Sequence, residues 1–415
     1  MSSTITDPAK VGFDPQRLAR IRPAMQSYVD RGIFAGISTL LARRGEVVHF
    51  DQVGYADRES QTPLTADAIY RIYSMTKPII CTALMTLYEE GGFKLFDPVA
   101  KYLPAFGKVQ VLVDDGNGNM QSVAPAQPMT IQQLFTHTAG LTYNFLEDSP
   151  VSKMYLEAGF MRDANSTLEH VIAEVARLPL AYHPGSRFHY SMSIDVLAHL
   201  IEIISGQPLA DFLQERIFQP LDMVDTGFAV PVAKRSRVAT VYGHPDVATH
   251  SFSDFIAAWN NGVNERRDLS QTYPTHDAPN FARGGHGLFS TAGDYLRFAQ
   301  MLLNRGELDG VRILGRKTVD FMHKNHVPMK LLPYAIGPLP SLGYGFGLGS
   351  RVLLDAPASA VVGSEGEYGW AGAAKTYYWV DPKEELVGIL MSQFMMAFDL
   401  PDKDFQALAY QALVD

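Results

Sequence analysis

The sequence predicts an α/β fold of the α+β type, in which an antiparallel sheet built from both chain ends is flanked by helices and interrupted by a mainly helical segment. Two strand pairs and one helical stretch carry that expectation. Residues 37–42 and 47–50 are apolar runs separated by Arg43, Arg44, Gly45 and Glu46, the pattern of a hairpin. Residues 376–380 and 386–391 flank Asp381, Pro382 and Lys383 and read as a second hairpin. The middle is helical in spacing: Ile80, Ala83, Leu84, Leu87 and Tyr88 share one face, and Val196, Leu197, Leu200, Ile201 and Ile204 share another.

The remaining elements follow in chain order. A helix is expected over residues 15–31. A second begins just after Ser74, with Pro78 in its first turn, where proline is tolerated, and Gly91 and Gly92 to stop it. A third covers 195–205, and a fourth covers 294–303 behind Thr291-Ala292-Gly293-Asp294, a start of capping-box type. Segments 114–128, 243–283 and 328–349 show no periodicity and read as loops of the kind that border active sites. No internal repeat is visible. At 415 residues and 47% hydrophobic composition the chain exceeds what one core usually supports. Residues 1–80 and 285–415 are therefore expected to form a sheet domain and 81–284 a mainly helical inserted domain, with a ligand cleft between them.

Composition narrows the partners. Charged residues make up 19%, the formal net charge is −9, and no basic run is longer than Arg43-Arg44 or Arg266-Arg267. Neither nucleic acid nor an anionic membrane is expected to bind such a surface. No segment approaches the roughly 20 apolar residues needed to span a bilayer, and no secretory signal is read at the N-terminus. Cys81, a lone cysteine, fits a reducing compartment, so cytoplasmic residence is expected. The sequence sets no oligomeric state.

Three motifs carry chemistry. In Ser74-Met75-Thr76-Lys77, the serine and lysine lie about one helical turn apart on the same side. A serine hydroxyl is a poor nucleophile until a base takes its proton, and a lysine serves as that base once burial lowers its pKa. The motif alone is equally well explained by Ser74 as a helix cap and Lys77 as a solvated first-turn lysine. Next, His183-Pro184-Gly185 turns the chain toward Tyr190, at a helix entry. A tyrosine there relays a proton to a leaving group, or acts as a base if lysines depress its pKa from about 10; a core tyrosine with a satisfied hydroxyl is the alternative. Third, Trp370-Ala371-Gly372-Ala373 runs directly into the expected strand at 376. Its small residues allow close backbone approach and an exposed N–H for an oxyanion, or simply relieve packing beside Trp370.

Taken together these segments resemble the serine β-lactamase-like superfamily, and most closely the family VIII carboxylesterases. Leu134-Phe135-Thr136-His137-Thr138-Ala139-Gly140-Leu141, Pro184-Gly185, Gly284-Gly285-His286-Gly287-Leu288-Phe289-Ser290-Thr291 and Trp379-Val380-Asp381-Pro382 extend the likeness from about residue 15 to the C-terminus. The resemblance implies that Ser74 is acylated, that Lys77 activates it, and that Tyr190 shares or relays the proton. It implies an oxyanion hole from the backbone N–H groups of Ser74 and Ala373, with Trp370, Ala371 and Gly372 on the substrate side. Tyr143 and His286 are further substrate-binding candidates; Phe145, Tyr344 and Phe346 either line an apolar pocket or pack in loop cores. No metal and no organic cofactor is implied.

Two departures from the β-lactamase pattern bear on substrate. Trp370 stands where K-T-G enzymes place a carboxylate-attracting lysine. Lys375 does not replace it, because on an unbroken strand it points away from Trp370 and Gly372. Met192 stands where β-lactamases carry an Asn. Both losses favour neutral esters. The G-x-S-x-G pentapeptide of the other large esterase class is absent. The expected function is thus hydrolysis of short-chain carboxylic esters, small-molecule substrates, through a Ser74 acyl-enzyme. The alternatives are acyl transfer to an alcohol, a β-lactamase or D-peptidase-like hydrolase, or a binding protein that keeps the fold without the chemistry.

Overall fold

Alternation along the terminal strands decides the architecture. In the computed structural model, which describes residues 5–275, 278, 280–397 and 400–415, Ile37 and Leu41 enter one apolar layer while Leu40 and Ala42 enter another. Tyr377 and Trp379 against Tyr378 and Val380, and Leu386 and Leu390 against Val387 and Ile389, divide the same way. A strand apolar on both sides is stable only when both faces are covered. Here they are.

The principal sheet has eight strands: β1 (Gly36–Arg43), β2 (Glu46–Asp57), β3 (Thr62–Pro63), β4 (Tyr344–Phe346), β5 (Arg351–Leu353), β6 (Tyr368–Ala371), β7 (Tyr377–Asp381) and β8 (Leu386–Ser392). Their order is β4-β5-β6-β7-β8-β1-β2-β3, antiparallel throughout. The two chain ends meet where β1 pairs β8, with Ile37 opposite Ser392 and Leu40 opposite Ile389. Helix α1 (Ile21–Asp30) and the C-terminal α5 (Pro401–Tyr410) cover the Trp379 face, and α4 (Ala292–Leu303) covers the other. The buried α2 (Thr76–Glu89) packs on α3 (Ser193–Ser205), and the apolar core beneath α4 continues without a break around both. Among the described residues no single helix is long and apolar enough to cross a membrane.

Several expected elements differ in detail. The helix expected over 15–31 is two, Pro15–Leu18 and Ile21–Asp30. Pro23 lacks the N–H that would bond the Ala19 carbonyl, and the helix breaks at that turn. Of the expected loops, 114–128 contains Met120–Val123, paired with Val111–Asp114. The 243–283 segment contains the helix Phe252–Asn260 and the strand Glu265–Arg266, while positions 276, 277 and 279 lie outside the described residues. The 328–349 segment contains a hairpin of Ala335–Ile336 with Leu339–Pro340 and then edge strand β4. Thr291 caps α4, accepting from the Asp294 N–H at 3.0 Å. Asp294 does not reciprocate; its carboxylate accepts from Asp225 N–H and the Thr226 hydroxyl at 2.7 and 2.9 Å.

Candidate active site

Ser74 lies in a tight turn, Tyr73–Met75, that runs straight into α2. Tyr73 holds a left-handed φ of 45°, a conformation that costs an aromatic residue about 1–3 kcal/mol and persists only where neighbours enforce it. They do: Met75 N–H donates to the Ile72 carbonyl at 3.0 Å, Tyr295 donates to the Met75 carbonyl at 2.9 Å, and the Tyr73 ring packs edge-on against Tyr273. The capping residue of α2 is Met75, and no side chain caps the helix. Ser74 is therefore not occupied as a cap, and Lys77, 1% exposed, is not a solvated lysine. Both parts of the alternative reading of this motif are overturned.

Lys77 Nζ lies 3.1 Å from Ser74 Oγ and donates to the Gly285 carbonyl at 2.6 Å. The Tyr190 and Tyr143 rings stand 4.6 and 5.3 Å from the amine. Burial pushes the ammonium down to about 7, against the opposing pull of Asp195. An amine that can shed its proton near neutral pH, within reach of a hydroxyl, is the arrangement of a general base beside a nucleophile. Gly285 is clamped on both sides: its N–H donates to Asp195 Oδ1 at 2.9 Å, and a Cβ there would meet Asp195 Oδ2 at 2.3 Å and Tyr143 Oη at 2.5 Å. That requires glycine at 285, and at Gly284 a Cβ would lie 2.4 Å from the Ile194 carbonyl, which accounts for the pair whose role the sequence leaves open.

Tyr190, in the loop before α3, accepts a hydrogen bond from Trp370 Nε1 at 3.2 Å and also hydrogen-bonds Ser74. Burial raises its phenol above the ordinary tyrosine value, and those two hydrogen bonds only partly oppose this. The phenol is thus neutral, the opposite of the depression that a tyrosinate base requires. It is suited to sharing and passing on a proton.

The third motif departs from expectation in its backbone. Residues 368–376 are not one run into a strand: β6 ends at Ala371, and a turn precedes β7. Lys375 takes a left-handed φ of 63° in that turn and pairs with Asp402 at 3.1 Å. It stays away from the site because the chain reverses, not because of strand alternation. Gly372 allows close approach, but to the protein's own chain: a Cβ would lie 2.5 Å from the Ile72 carbonyl and 2.2 Å from Thr376 Oγ1. Thr376 also donates to that carbonyl at 3.2 Å, tying the turn to the segment that leads into Ser74.

A cavity of about 540 Å³ opens over Ser74. Tyr190, Trp370, Ala371, Gly372 and Ala373 line it together with Phe145, Tyr334, Tyr344 and several aliphatic side chains. The Ala373 carbonyl is fixed by Met396 N–H at 2.7 Å, while its own N–H finds no backbone acceptor among the described residues. Of the other candidates, Tyr143 stacks behind Phe145 at 4.9 Å and does not line the cavity. His286 does not line it either; its ring packs near Tyr273 and Phe281, and burial beside Arg283 and Lys77 pushes it down to about 3. Phe346 lies beneath Trp370 at 5.0 Å. Cys81 is fully buried, with burial raising its thiol.

Two residues of the site were not singled out in the sequence. Asp195, in the first turn of α3, reads there as an ordinary helix-start acid. In the fold it is fully buried, its pKa raised by burial, and its Oδ2 has no hydrogen-bond partner among the described residues. His137, with a left-handed φ of 53°, presses its ring against Tyr190 at 4.5 Å, and its carbonyl accepts from His189 N–H at 2.7 Å. Its presence in the Leu134–Leu141 stretch was the available signal.

"Protein Rv1367c" of Mycobacterium tuberculosis is 34% identical over 376 residues, 89% of this chain and 88% of that protein. "Esterase EstB" of Burkholderia gladioli is 29% identical over 387 residues, 92% of each chain. Among solved structures, "EstCE1, a hydrolase with promiscuous acyltransferase activity" superposes with a TM-score of 0.78 at 28% identity, covering 95% of this chain and 99% of that one. The Beta-lactamase family model matches residues 21–411, and with that match spanning nearly the whole sequence the protein belongs to the beta-lactamase family.

Proposed function

We propose that the protein is a serine carboxylesterase that cleaves short-chain esters through an acyl-enzyme on Ser74. The observation that carries this reading is the amine of Lys77, fully enclosed, pushed down to about 7 and 3.1 Å from Ser74 Oγ. Lys77 takes the Ser74 proton as Oγ attacks the ester carbonyl. The oxyanion is received by the N–H groups of Ser74 and Ala373. Tyr190, neutral and hydrogen-bonded to Ser74, passes a proton to the departing alkoxide, and Trp370 Nε1 holds its hydroxyl in place. The alcohol leaves, and water then attacks the acyl-enzyme by the reverse proton route, freeing Ser74 and a carboxylic acid. The likeness to EstB, an esterase by name, supports the substrate class.

The cavity walls support the proposed division of the chain: Phe145, Leu146 and Tyr190 come from the 81–284 segment, and Tyr334, Trp370 and Tyr377 from the sheet-bearing parts. A cytoplasmic location rests on the single buried thiol of Cys81.

Hydrolysis of a chain-length series of p-nitrophenyl esters by wild type and Ser74→Ala tests the reading. Rapid cleavage of the shorter esters that disappears in the variant is expected; equal rates would refute it. Acyl transfer is a second outcome, favoured by the apolar wall and by the activity named for EstCE1. Adding short alcohols reveals it as a new ester product.

A further inference from the structure

The cavity over Ser74 is lined mostly by aromatic and aliphatic side chains, and among the described residues only two lining groups are charged: Arg351 and Lys403, both cations. Their surroundings are not equivalent. Arg351, on β5, donates to Tyr377 Oη at 2.6 Å and lies 3.6 Å from Glu367, a fully buried carboxylate that balances it. Nearby, Lys375 and Asp402 balance each other at 3.1 Å. Lys403, half-buried in the first turn of α5, has no carboxylate at ion-pairing distance among the described residues. Its ammonium instead stands 5.5 and 5.8 Å from the Tyr377 and Tyr344 rings. Among the described residues, Asp402 and Glu367 act on this charge only from beyond ion-pairing distance.

Two further observations point the same way. Burial and the neighbouring Arg351 push the Lys403 ammonium down to about 8, and the pull of Asp402 and Glu367 only partly opposes them. The Tyr344 hydroxyl is buried on the same wall beside Ser359 and Arg351, whose guanidinium stands over its ring at 5.5 Å. A desolvated cation with no carboxylate in contact is costly empty and favourable once an anion arrives.

We propose that the ester substrate carries a carboxylate remote from its scissile bond, and that Lys403, backed by Arg351 and the Tyr344 hydroxyl, receives it. This rests on Ser74 being the reaction centre at the other side of the same cavity. It also revises the expectation of neutral esters drawn from Trp370 and Met192. The positive charge that the third motif lacks is supplied instead from β5 and α5.

The test compares matched esters in two arms. The acid is on the acyl part in the p-nitrophenyl half-ester of glutaric acid, set against p-nitrophenyl pentanoate. It is on the alcohol part in the butanoate ester of 4-hydroxybenzoate, set against that of 4-methylphenol. In at least one arm the acidic ester is expected to show a kcat/KM roughly tenfold or more above its neutral partner, the scale of one charge-assisted hydrogen bond. Lys403→Met brings that ratio close to one, and Lys403→Arg keeps it. Equal or better use of the neutral ester in both arms overturns the proposal, as does a ratio that Lys403→Met leaves unchanged. If Lys403→Met does not fold, the wild-type ratio alone decides. Should no ester be cleaved, it is the acyl-enzyme reading that fails. The subsite is then read by glutarate raising the melting temperature of wild type but not of Lys403→Met, and the absence of that rise overturns it.

Discussion

Lys77 meets two opposing demands. A base must be neutral to accept the Ser74 proton, and the fold achieves this by burying the amine at a cost to stability. Its folded value of about 7 lies below the ordinary 10.5, so between those pH values the unfolded chain holds a proton that the folded chain has released. Stability contributed by this group therefore rises with pH across that window, and below about 7 the full cost of enclosing an ammonium is present. Lys77→Met is expected to abolish turnover while gaining on the order of 1–3 kcal/mol at about pH 6, an advantage that shrinks by about pH 9.5. Urea denaturation of both proteins at the two pH values measures it. In the wild type, kcat/KM should climb as pH rises through about 7, where Lys77 loses its proton. Tyr190→Phe removes the hydroxyl held by Trp370 and should cost roughly 10²–10⁴ in turnover with little change in melting temperature.

At this scale the chemistry-bearing side chains were legible because their types and spacing are themselves the signal. The serine and lysine one turn apart, and the tyrosine at a helix entry, are facts of the chain. Asp195 and the backbone strain at Tyr73 were not legible. A carboxylate at a helix start has a commonplace explanation, and a φ of 45° leaves no trace in residue type when the residue is a tyrosine. The raised pKa of Tyr190 likewise depends on how deeply the phenol is enclosed, which only packing decides.

Among elements, the turn between β6 and β7 matters most to the site. It hangs Ala373 over the cavity and is fastened to the Ser74 segment through Ile72. Gly372→Ala sets a methyl 2.5 Å from the Ile72 carbonyl, so turn and serine must separate. A loss of about 1–3 kcal/mol is expected, with turnover per folded molecule falling tenfold or more, read by thermal melting and ester hydrolysis on the same sample. The long strands were readable from the sequence because several residues share a period. The two-residue strands at 335–336 and 339–340, and edge strand β4, are too short to show one, and they merged into expected loops. The helix Phe252–Asn260 was missed although Ser251 and Asp254 form a capping box at its start.

For the whole molecule, the pairing of β1 with β8 makes the sheet depend on both chain ends, and this was foreseeable because apolar hairpins sit at each end. What no single sequence conveys is register. Gly388 lies directly opposite Trp379, whose ring occupies the space a side chain would take, with a Cβ meeting it at 2.1 Å. Gly388→Ala should lower stability by about 1–3 kcal/mol yet leave activity per folded molecule intact, because neither Gly388 nor Trp379 lines the cavity, which that face of β7 reaches through Tyr377. Loss of specific activity in that variant would mean that sheet and cleft are less independent than described.

The central claim is that Ser74 Oγ is the nucleophile. Intact mass after treatment with an active-serine phosphonate tests it most directly, in wild type and in Ser74→Ala. A single phosphonyl adduct is expected on the wild type, mapped to the peptide containing Ser74, and none on the variant. An adduct that persists in Ser74→Ala, or one that maps to another residue, would contradict the account.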